Sequence, residues 1–169
     1  PRADAGDIVD QEAVPIGPDD TAIEVQRRVT IAAVRILERR LPDLERGTAG
    51  RLRQDESQAT TFPRRRPEDG RIDWMKSSKQ VHDLVRAVTH PYPGAFTDVF
   101  GATTWVWKTG LPSLGAHDNF PGQVRTESGR LFVACGDDRY IEVLTLQREA
   151  EEEMEASRFV DLLKVAARR

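Results

Sequence analysis

From Pro91 onward the chain breaks into short runs rich in β-branched and aromatic residues, with glycine at the breaks. "AFTDVF" and "TTWVWKTG" are separated by "GA", a hairpin signal, and "GQVRTESGRLFVACGDDRYIEVLTLQ" holds three further runs with turns at "ESG" and "GDD". Runs this short, joined by turns this tight, pair as antiparallel neighbours, because parallel strands need long crossovers. Five of them predict a small antiparallel barrel of the oligonucleotide/oligosaccharide-binding (OB) kind. Trp105 and Trp107 lie two apart and so share one face of their strand, where core packing is the expectation.

The first third of the chain obeys a different period. "DDTAIEVQRRVTIAAVRILERRL" reads as a helix, with Thr21 and Glu24 at capping-box spacing and Asp19 and Asp20 at the positive end of its dipole. Val25, Val29, Ala33, Ile36 and Leu37 form one stripe that is expected to be buried. Arg27, Arg28, Arg35, Arg39 and Arg40 fall largely on the other side, as a solvated face, and Pro42 is expected to end the helix. "SSKQVHDLVRAV" is a second, shorter helix with Ser77 or Ser78 as its cap. Near the end, "EAEEEMEA" reads as a solvated acidic stretch, followed by a last helix with Phe159, Leu162, Leu163 and Ala166 on its apolar side. The class is α+β.

Between the helical and β parts lies "TAGRLRQDESQATTFPRRRPEDG", polar and aperiodic, which reads as a linker or an ordered crossover. Its Arg64, Arg65 and Arg66 stand between prolines that restrain the backbone. Such a cluster serves equally well as a phosphate clamp or as a charged linker.

Several function classes are excluded or disfavoured. No apolar run is long enough to span a bilayer, so no membrane association is expected. The net charge of -3 gives no general signal for nucleic acid. Cys135 is the single cysteine, which rules out an internal disulfide framework and fits a reducing, cytoplasmic setting; its place in "LFVACGD" predicts a buried structural thiol. With one Cys and three scattered histidines no metal site is expected. His82, His90 and His117 have no Ser or Cys partner at a recognisable spacing, so nucleophilic triad chemistry is not supported. Asp4 stands in a Gly-containing loop before an extended segment; read from the residues alone, it satisfies the turn.

"RADAGDIV", "PDDTAIEV", "RRRPEDGRIDW" and "LVRAVTHPYPGAFT" occur in this order, and together they resemble the second half of a folate-dependent formyltransferase. That family includes methionyl-tRNA formyltransferase and the formyltransferase acting on UDP-4-amino-4-deoxy-L-arabinose. The resemblance covers nearly the whole chain and leans toward the amino-sugar branch. It implies that residues 1–53 are the tail of a Rossmann-like catalytic domain, 54–67 a linker, and 68–169 the OB-like C-terminal domain.

The resemblance also implies 10-formyltetrahydrofolate as formyl donor and a catalytic Asn, His and Asp, of which the Asp matches Asp4. That Asp raises the pKa of the His, and the Asn stabilises the developing oxyanion. Backbone around Pro1, Arg2, Ala3 and Asp4 would line the folate pocket. Arg64 and Arg65 would help seat an anionic amino-sugar nucleotide. The family's Asn and His match no residue here, so these residues by themselves are expected to be catalytically incomplete. Methionyl-tRNA is the alternative acceptor, and a non-catalytic OB-like binding module is the alternative outside enzymes.

Overall fold

Thr21 begins the first helix, α1 (Ala22–Glu45), because the Glu24 carboxylate accepts from both its N–H and its hydroxyl, at 2.7 Å each. Asp20 is held on the same end: its carboxylate accepts from Gly17 N–H at 2.5 Å and pairs with Arg28. The helix does not stop at Pro42 but carries it in its last turn and ends at Glu45, where Gly47 takes a φ of 69°. Proline removes one amide from the helical ladder, and this loss is tolerated on an exposed face. The computed structural model describes residues 5–99 and 101–166 of the chain.

Two compact units divide the chain, Pro1–Arg64 and Arg65–Arg169, and the division falls inside the 54–67 stretch. In the first unit the expected stripe of α1 is not buried. Val29 and Leu37 are about half exposed, and Ala32 is the buried hydrophobic residue among those described. Nor are the helix arginines a freely solvated face. Arg28, Arg35, Arg39 and Arg40 are each paired with a carboxylate of the segment that precedes the helix.

The second unit opens with a 3₁₀ turn, Pro67–Gly70, and α2 (Ser78–Val88). Ser77 caps α2: its hydroxyl accepts from Gln80 N–H at 3.2 Å, while Gln80 accepts from Ser77 N–H at 3.1 Å. Asp137 adds two further bonds to Ser78, tying the start of α2 to a turn of the sheet.

The sheet contains β1 (Ala95–Val99), β2 (Ala102–Gly110), β3 (Val124–Glu127), β4 (Arg130–Ala134), β5 (Tyr140–Arg148) and β6 (Met154–Glu155). All pairings are antiparallel, in the order β1-β2-β5-β4-β3, with β6 paired to β5 beyond the end of β4. Ser128 and Gly129, with φ of 50° and 78°, make the two-residue loop between β3 and β4; both positive angles match the twist that such a hairpin needs. The five expected strands are present. The sheet stays open: among the described residues β1 and β3 each pair with one strand and not with each other, so the barrel is not closed.

The core lies on one face of this sheet, under α2 and under α3 (Ala156–Ala166). Val81 and Val85 of α2, Val106, Leu131, Val133 and Ile141 of the strands, and Phe159 and Val160 of α3 belong to it. Phe132 and Ala134 point to the opposite face, where they meet Ala116 and Tyr140 in a smaller cluster. This burial on both faces explains the unbroken apolar run of β4.

Three expectations are corrected here. Trp105 and Trp107 occupy the face opposite to Thr104 and Val106 and stand outside both clusters, because alternation along β2 gives the core to the smaller side chains. The acidic stretch is not wholly solvated, because Met154 is buried where β6 adds to β5. On α3 it is Val160, not Leu162, that turns inward; Leu162 is half exposed, and the Ala166 side chain lies outside the described residues.

Candidate functional site

In the first unit the residues from Gly6 to Glu12 are held at three points. Ile8 and Leu52 exchange two backbone hydrogen bonds of 2.8 Å, forming an isolated antiparallel bridge. The Gln54 side-chain amide donates to Gly6 O at 2.5 Å. Asp10 accepts from Arg39 Nε at 2.6 Å and from Arg40 Nε at 2.7 Å, while Glu12 accepts from Arg39 Nη1 at 2.9 Å. Two carboxylates two residues apart on an extended segment point the same way, and Arg35 and Arg39, four apart on a helix, meet them. That matching of spacings, two on the strand-like segment and four on the helix, is itself a signal legible in the sequence.

The electrostatics mark this cluster as an anchor. Hydrogen bonds from Arg39 and then Arg40 hold the Asp10 carboxyl well below the usual carboxylate range, and Asp10 in turn raises the Arg39 guanidinium. A general base works best with a pKa near the working pH, so Asp10 is suited to fixing the chain and not to moving protons. Pro1, Arg2, Ala3 and Asp4, the expected folate-pocket and catalytic residues, lie outside the described residues.

Arg64 and Arg65 are exposed. They lie between two short turns. In the first, Glu56–Gln58, the Asp55 carboxylate accepts from Ser57 N–H at 3.0 Å; in the second, Pro67–Gly70, the Asp69 carboxylate accepts from Arg66 N–H at 2.7 Å. Arg64 closes the first unit and Arg65 opens the second. An exposed guanidinium can take an anionic group bidentately, and each of the two belongs to its own unit.

Two of the histidines have structural partners, and the cysteine is buried. Buried His82 places Nδ1 2.9 Å from Thr109 Oγ1. His90 stacks on Trp107 with ring centroids 3.9 Å apart and has Nε2 2.9 Å from Glu153 Oε2. His117 lies on the exposed loop before β3. The Cys135 thiol is buried, and burial first, then the charge of Asp137, pushes its pKa up to about 12, so it is no nucleophile at neutral pH. Among the described residues no group of His, Cys, Asp and Glu could hold a metal ion, and no helix is long and apolar enough to cross a membrane.

The fold has known relatives. HypX from Aquifex aeolicus superposes with a TM-score of 0.68 at 22% identity, over 95% of this chain and 28% of its own. The same protein in complex with tetrahydrofolic acid gives 0.65 at 21%, over 93% and 28%. The N-formyltransferase from Helicobacter canadensis, in complex with folinic acid and dTDP-3-aminofucose, gives 0.64 at 17%, over 86% and 51%. WlaRD, a sugar 3N-formyl transferase, gives 0.62 at 18%, over 88% and 52%. The chain thus spans between about a quarter and a half of the length of these proteins. At such identities the superpositions speak for the fold. The family itself rests on the sequence: the model described as formyl transferase, C-terminal domain, matches residues 64–163, well over half of the chain, which therefore belongs to that family.

Proposed function

We propose that the chain is part of a 10-formyltetrahydrofolate-dependent N-formyltransferase that acts on the amine of a nucleotide-linked amino sugar. The family match over residues 64–163 carries this reading. The folate and sugar-nucleotide complexes of the fold relatives support it. In the proposed reaction 10-formyltetrahydrofolate supplies an activated formyl group. The acceptor amine forms the new C–N bond, the bond from the formyl carbon to the folate nitrogen breaks, and the proton lost by the amine ends on that nitrogen. Asp4 raises the pKa of a His supplied outside these residues, which handles that proton. Gly6 and Ile8, which follow Asp4 in the sequence, are pinned by Gln54 and Leu52.

We further assign residues 1–53 to the tail of a Rossmann-like catalytic domain, 54–67 to a linker and 68–169 to the C-terminal domain. The exposed apolar residues of α1 support the first assignment. Val29, Ile31, Val34, Leu37, Leu41 and Leu44 are between 42% and 56% exposed, an apolar surface that a further packed layer would bury. Arg64 and Arg65 seat the acceptor's phosphates. A tRNA acceptor is less well supported, since Arg125, Arg130 and Arg148 of the strands are already paired with Glu127, Glu142 and Glu151.

The test is a formyl-transfer assay on the full-length protein, with amino-sugar nucleotides in one arm and initiator methionyl-tRNA in the other. Formylation of a sugar amine is expected. Asp4→Asn should lower kcat by about 10²–10⁴, and the Arg64→Ala, Arg65→Ala double variant should raise KM for the sugar nucleotide. Transfer to tRNA alone would overturn the acceptor, and transfer to neither would overturn the activity.

A further inference from the structure

The two outer edges of the open sheet are bridged by one side chain. After Gly70 the chain runs along the outer edge of β1, and Ile72 N–H donates to Phe96 O at 2.8 Å. Trp74 follows. Its indole N–H donates to Thr97 Oγ1 of β1 at 3.1 Å, and its ring lies against Gly122, where a Cβ would come within 3.4 Å of it. Gly122 leads into β3, so Trp74 touches both edges.

Trp74 also lines a cavity of about 250 Å³. Its wall is mostly apolar, with Val106, Leu131, Val133 and Leu146 from the sheet and Phe159 and Leu163 from α3. Three polar residues reach it: Thr97, Asp98 and Thr104. Asp98 is ion-paired with Arg71 at 2.6 Å, so it offers little net charge. Thr104 is buried, and among the described residues its hydroxyl makes one hydrogen bond, of 3.5 Å to Ala102 O, at the outer limit for such a bond. The Thr97 hydroxyl accepts from Trp74 and keeps its own O–H to donate. An apolar wall bearing two hydroxyl groups with bonding capacity to spare is the ordinary composition of a small-molecule site.

We propose that this cavity is a binding site for a compact, uncharged molecule with an aromatic or short alkyl body and one hydrogen-bonding head. A cavity of about 150 Å³ already admits benzene, so a body of one ring with a substituent is the size that fits. Thr104 bonds the head. Charged ligands are disfavoured, because among the described residues the wall holds no unpaired counter-charge that would repay their desolvation. The site lies wholly within the second unit and is independent of the formyl-transfer reading.

Phenol and benzene test it, by titration of the methyl-labelled protein followed by NMR. Both probes should shift the methyl signals of Leu131, Val133 and Leu146. Thr104→Val keeps the shape and removes the hydroxyl, so it should weaken phenol about tenfold and leave benzene unchanged. Val124→Phe fills the cavity from the half-exposed rim, and Leu163→Trp fills it from α3; either should abolish both shifts. Should one variant fail to fold, the other still decides. Absence of shifts at millimolar probe, or shifts that persist in a folded filled variant, would overturn the site. Equal weakening of phenol and benzene by Thr104→Val would overturn the role of the hydroxyl.

Discussion

Asp10 ties the extended segment before α1 to that helix, and its ionisation is linked to the stability of the first unit. In the unfolded chain an aspartate titrates at about 3.9. In the fold, the two guanidinium groups keep Asp10 ionised to lower pH. The unfolded chain therefore binds the extra proton first as pH falls. The stabilisation is fully present above the unfolded value and is lost on the way down through the folded one. Urea midpoints of the helical signal in the native protein should fall as pH drops from about 5 toward 2.5. Asp10→Asn should start from a lower midpoint at pH 6 and lose less over the same interval. Parallel curves for the two proteins would remove Asp10 from the acid response. At this scale the sequence was only partly legible. The capping pair Thr21 and Glu24 and the buried Cys135 could be read locally, since each depends on near neighbours or on its own apolar run. The pairing of Asp10 with Arg39 and Arg40 joins residues about 30 apart and needs the fold to bring them together.

At the scale of elements, the strands and their turns were legible because run length and glycine placement are local properties. What composition concealed was β6. Met154 sits among five glutamates, so the surrounding charge outweighs it in any local reading. In the fold it covers the end of β5 that β4 leaves free and joins the core cluster. The alternation of β2 was legible as a pattern but not as a direction. The pattern put Trp105 and Trp107 on one face, and only the positions of α2 and α3 decide that the core takes the other. The same argument separates Met154 from Leu162, the apolar residue of α3 that turns outward. Met154→Ala should cost about 2–5 kcal/mol, the usual range for emptying a buried site. Leu162→Ala should stay within about 0.5 kcal/mol, as a surface change. Urea denaturation followed by tryptophan fluorescence measures both, and equal costs would mean that β6 is not packed as described.

The two units differ in what holds each of them together, and this difference can be measured in the whole chain. Among the described residues, the buried hydrophobic side chain of the first unit is Ala32, while the second unit holds every other member of the core. The first unit relies on ion pairs that water can reach, each of modest worth. Burial of apolar surface dominates stability, so in the 169-residue chain the first unit should unfold at lower urea than the second. The sequence supplies a separate probe for each. Trp74, Trp105 and Trp107 all lie in the second unit, so fluorescence reports on it alone. Circular dichroism at 222 nm is weighted toward the first, because α1 has 24 residues against 11 in α2 and 11 in α3. The expected result is a loss of about half the helical signal before fluorescence changes, which departs from two-state behaviour. Val85→Ala, which opens the core beneath α2, should then move the fluorescence transition to lower urea and leave the early step of the helical signal in place. Coincident transitions in the native chain, or an early step that moves with Val85→Ala, would mean that the two units share one cooperative core.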